Sequence, residues 1–76
     1  MIYKLYAVQD TLIGFSQPYI MVNEDVAKRD YKERLKVNPH ASDMRLFEIG
    51  TFDDATGTII GETPKCILGG IENGEN

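Results

Sequence analysis

Residues 2 to 8 (Ile2, Tyr3, Lys4, Leu5, Tyr6, Ala7, Val8) are aliphatic, aromatic or β-branched with Lys4 as the one charge. That run is too apolar for a strand with one wet face and predicts a central strand. Asp10, Thr11 and Gly14 then supply turn chemistry. A second apolar run follows at Phe15 and at Tyr19 to Val22, where Pro18, lacking an amide donor, favours an edge or a bulge. The two runs are expected to pair as a hairpin.

At Asn23 the period changes. Its side-chain oxygen can accept from the free amides of a first helical turn, and Glu24 and Asp25 place negative charge at the positive end of the helix dipole. Ala27, Tyr31 and Leu35 recur at spacing four, widened by Val26, which predicts a helix over Glu24 to Val37 with one apolar stripe against a sheet. Pro39 ends it, because the residue before a proline is pushed out of helical angles.

After a loop at 38–43, Leu46 to Phe52 and Thr58 to Ile60 read as two further strands. Asp53-Asp54-Ala55-Thr56-Gly57 joins them as a hairpin with a residue at positive φ. Residues 65–68 suggest a short fifth strand that starts after Pro64. The expected fold class is α+β, ordered β-β-α-β-β: an antiparallel sheet of four to five strands with one helix on one face. One domain over 1–68 and a flexible tail over 69–76 complete the expectation.

Composition narrows the chemistry. Seven aromatics and 42% hydrophobic residues argue for a folded module rather than a disordered chain. A chain of 76 residues is near the size at which hiding enough apolar surface alone becomes difficult, so a homodimer is expected. Cys66 is the single cysteine, which excludes an intrachain disulfide and a thiolate cluster, and fits a reducing compartment. No secretory start and no apolar run of membrane-spanning length is present, so a cytoplasmic protein without membrane contact is expected.

His40 is the only histidine, in a loop and remote in sequence from Cys66, so no base-and-nucleophile pairing emerges. Asp53 and Asp54 could hold a cation, but aspartates at a hairpin tip ordinarily satisfy local amides. Neither a phosphate-cradling glycine loop nor HExxH occurs. No enzyme activity, metal or cofactor is expected.

Five of the eight basic residues, Lys28, Arg29, Lys32, Arg34 and Lys36, fall within nine positions of the helix. Glu24 to Lys28, Asp25 to Arg29 and Asp30 to Arg34 are acid-first pairs at spacing four, the orientation that favours ion pairing. Lys28, Lys32 and Lys36 also line one flank, which would suit an anion. Both a solvated face and a phosphate-contacting one are consistent with this pattern. The net charge of −4 removes whole-molecule attraction for nucleic acid, so binding would need this local patch and stacking of unpaired bases on aromatics. Tyr3, Tyr6 and Tyr19, with Phe47, are the stacking candidates. Tyr3 and Tyr6 are an odd number of positions apart and should face opposite sides of the sheet, one toward the helix.

Three segments carry a resemblance: Met1 to Asp10 with Gly14-Phe15, Asn23 to Tyr31, and Leu46 to Asp53 followed by Thr56-Gly57 and Pro64. In their order and spacing they resemble the small nonstructural protein of gokushoviruses, single-stranded DNA phages of the Microviridae. The resemblance implies a noncapsid protein in the host bacterial cytoplasm, acting in production or packaging of single-stranded genomes, with no agreed catalytic residue. The expected function is weak, nonspecific single-stranded DNA binding through Lys28, Arg29, Lys32, Arg34 and Lys36, with Tyr3, Tyr6 or Tyr19 stacking on bases. An adaptor of the replication or procapsid machinery that touches no DNA is the alternative.

Overall fold

The computed structural model describes residues 1–69. Its central strand, β1 (Ile2–Asp10), is flanked on one side by β4 (Met44–Asp53), antiparallel from Ile2↔Asp53 to Asp10↔Met44. Strand β5 (Thr58–Leu68) lies outside β4 and forms one edge. On the other side of β1, two short strands share the edge: β2 (Gly14–Phe15) pairs with Gln9 and Asp10, and β3 (Tyr19–Met21) with Lys4 to Tyr6. The helix α1 (Glu24–Leu35) follows β3, and a 3-10 turn at Ala41–Asp43 leads into β4. This is the expected α+β fold, one helix with a curled antiparallel sheet.

Local chemistry explains most boundaries. Asn23 caps α1 as expected, its Oδ1 accepting from the Val26 amide at 2.9 Å. The helix stops at Leu35, two residues short of the expected Val37, because the Lys36 and Asn38 amides bond back to Glu33 and Leu35 in a tightened last turn. The expected second strand is divided at Ser16-Gln17-Pro18. There the Ser16 amide donates to Val8 and the Ser16 hydroxyl accepts from the Val8 amide, so side-chain chemistry replaces one rung of the ladder. At the Asp53–Gly57 turn, Gly57 takes φ +74°, and the Asp53 carboxylate accepts from the Ala55 amide.

The largest departure is β5. Its expected break at Pro64 does not occur, and one strand runs from Thr58 to Leu68. An edge strand tolerates proline because its outer amides have no partner. Glu48 pairs with Lys65 and Gly50 with Gly61, so residues 62–64 stand against Ile49 alone and the irregularity is absorbed as a bulge. Ile49 is itself an extra residue relative to β1, where Leu5 pairs with Gly50 and Tyr6 with Glu48. Gly50 is required at this crossing. A Cβ there would press into the Ile60 carbonyl of β5.

The core lies between α1 and the sheet. Ala27, Tyr31 and Leu35, the expected stripe, pack with Tyr6, Leu46 and Ala41, bordered by Val8, Tyr19, Met21 and Met44. The Tyr31 hydroxyl donates to the Gly69 carbonyl at 2.9 Å, tying the end of β5 to the helix. From residue 70 onward the expected tail lies outside the described residues.

Candidate nucleic-acid interface

With one stripe of α1 committed to the core, the remaining helix surface carries the basic cluster. Lys28, Arg29, Lys32 and Lys36, together with Asp25 and Glu33, line a shallow groove on the outer side of the helix. Spacings of three and four residues bring these side chains onto one exposed strip. Four cations therefore meet two carboxylates in a chain that is acidic as a whole.

Much of that positive charge is already engaged. Lys28 pairs with Glu24 at 3.0 Å, Arg34 with Asp30 at 2.9 Å, and Lys36 with Glu33 at 3.0 Å. The hydrogen bond from Lys28 holds the Glu24 carboxyl below its ordinary pKa. The Lys36 pair, at spacing three, was not among the pairs expected. Conversely, the expected pair of Asp25 with Arg29 is absent among the described residues, and neither Arg29 nor Lys32 makes an ion pair there. Arg34 turns away from the groove and lies 5.0 Å from the centre of the Tyr19 ring. It acts as a cation over a half-buried aromatic rather than as a groove residue.

The tyrosines require correction. Tyr6 is fully buried under the helix, and Tyr19 pairs with it across the sheet on the same side. Both hydroxyls are buried without a hydrogen-bond partner among the described residues, and burial raises the pKa of both phenols. The Tyr6 ring cannot receive a base, and the half-buried Tyr19 ring already has Arg34 over it. Tyr3 lies on the opposite side of the sheet, away from the cations. Alternation along a strand separates Tyr3 from Tyr6 but does not reveal which of them the helix covers. The stacking surface and the basic groove therefore do not adjoin in one chain.

Other chemistry-bearing residues have local roles. Asp54 bonds the Met1 amine at 2.7 Å, and Asp53 caps its own turn, which accounts for both aspartates without a cation. Glu48, the one buried charge among the described residues, is met by Lys4 at 3.0 Å, an ion pair spanning β1 and β4 that sequence reasoning missed. Among the described residues, no group of three or more His, Cys, Asp or Glu is placed to hold a metal, and no helix is long and apolar enough to cross a membrane.

Fold and site together define a small α+β module with an ion-paired, cation-bearing helix on one side of its sheet. The family model described as phage ORF5 protein matches residues 3–73, and the chain belongs to that phage family. Neither the curated proteins nor the solved structures contain a match to it.

Proposed function

We propose that this phage protein works by binding rather than catalysis, holding single-stranded DNA weakly and without sequence preference during replication or packaging of a gokushovirus-type genome in the host cytoplasm. The observation that carries this reading is the outer helix groove, where Arg29 and Lys32 make no ion pair among the described residues of an acidic chain. Phosphates are the ligand such a strip suits, because each free cation that meets a polyanion displaces condensed counterions into solution. No groove residue is aromatic, so the groove itself offers no surface on which bases could stack.

Two free cations imply a shallow salt dependence, a log–log slope of about −1.4 at roughly 0.7 per phosphate for a single strand. Fluorescence anisotropy of a labelled oligothymidylate should show binding at low salt that is lost in Arg29→Gln/Lys32→Gln. Wild-type protein that fails to bind at low salt rejects the reading. The adaptor alternative draws on the ion pairs already occupying Lys28, Arg34 and Lys36, and it would then stand alone.

A further inference from the structure

Every described element outside the sheet packs on its helix side, and on the other face the central Leu5 and Ala7 are buried within the curled sheet while residues of the flanking strands stay exposed. Register defines that face as cross-strand rows: Tyr3 with Phe52 and Ile59, Leu5 with Ile20 and Gly50, Ala7 with Phe47 and Cys66, and Gln9 with Phe15 and Arg45. All three phenylalanines lie there. Phe15 meets Phe47 edge to face at 5.2 Å, and Phe15, Ile20 and Ile59 remain 49%, 45% and 65% exposed. In these rows Arg45 is the single charged side chain.

We infer that this face is the contact between two copies of the chain, joined open face to open face. Four strands about 4.8 Å apart, with about nine residues rising about 3.3 Å each, give a footprint on the order of 600 Å². Exposed side chains on its flanks add to this while Leu5 and Ala7 at its centre add almost nothing, which places the contact at the small end of the roughly 800 Å² per partner of a standard interface. Charge selects the occupant. Two copies of a chain with net charge −4 repel through most surfaces, but this face brings almost no charge to itself. A polynucleotide would find Arg45 as its only cation, while the free cations Arg29 and Lys32 sit behind the sheet on α1. An apolar patch of this extent on a monomer marks an interaction site.

The association is independent of the DNA reading. Its consequence rests on that reading: a dimer so joined carries two helix grooves on opposite outer sides. Sedimentation of the full chain across the micromolar range should give a dimer, and Ile59→Asp, placed at an exposed position, should give a folded monomer by circular dichroism. Cys66, exposed in the single chain and located on this face, supplies a second readout. Its reaction with a maleimide should be several-fold slower at dimeric concentrations than on dilution, whatever DNA does. A wild-type monomer overturns the inference. So does a monomer whose Cys66 becomes shielded only when oligothymidylate is added, which assigns the face to bases instead.

Discussion

Gly50 shows how far a single residue controls the sheet. It faces Gly61 across the β4–β5 ladder, yet the two positions differ sharply in the space they offer a side chain. A Cβ at Gly50 meets backbone of β5, which cannot swing aside as a flexible side chain would, whereas one at Gly61 meets nothing within 4 Å. Gly50→Ala should therefore cost about 2 to 3 kcal/mol, the upper range for overpacking. Gly61→Ala should be close to silent. Urea denaturation would show this as a lower midpoint with an unchanged slope for the first variant alone. Equal midpoints for the two would remove the close crossing from the account. Tyr6 marks the limit of residue-level reading: its alternation with Tyr3 follows from strand geometry, but its burial depends on which face the helix takes.

At the scale of elements, α1 was the most legible because its signals are local. Asn23 as cap, the Ala27–Tyr31–Leu35 stripe and two of the three acid-first ion pairs all follow from spacing along one helix. Strand β5 was the least legible. Glu62-Thr63-Pro64 has the composition of a connection, and only pairing with a distant strand makes it a bulge within one edge strand. The basic groove lay between these cases: its residues were visible in the sequence, but the Lys36–Glu33 pair depends on rotamers, and of the groove cations Arg29 and Lys32 make no ion pair among the described residues. The helix pairs also carry a pH signature. Because Lys28 depresses the folded Glu24 pKa, that pair stabilises the fold above the ordinary carboxyl value of 4.5 and ceases to do so as pH falls through the lower folded value. Wild type should thus melt above Lys28→Gln at neutral pH, with the gap closing as pH drops into the acid range. A gap independent of pH would mean that Lys28 acts through packing instead.

For the whole molecule, the division of labour between the two sides of the sheet matters more than any one contact. The helix side holds the core and the cations, and the other side holds the phenylalanines in almost uncharged rows. The groove of a lone chain therefore offers a strand of DNA two cations without an ion pair among the described residues and no adjacent stacking surface, which is a poor coat for a genome. Joining two copies through the aromatic face changes what weak grooves can do, since packed sheets are about 10 Å apart and each helix lies one layer further out. Two separate strands would be held on opposite sides of one small body, so that each dimer bridges them. Mixing donor-labelled and acceptor-labelled oligothymidylates with wild-type protein at low salt should then produce energy transfer that declines again at large protein excess, when every strand has its own dimer. Ile59→Asp should bind each oligonucleotide separately and transfer nothing. Binding by a wild-type dimer with no transfer at any ratio would place both grooves on one strand and end the bridging proposal, while leaving the groove and the dimer in place.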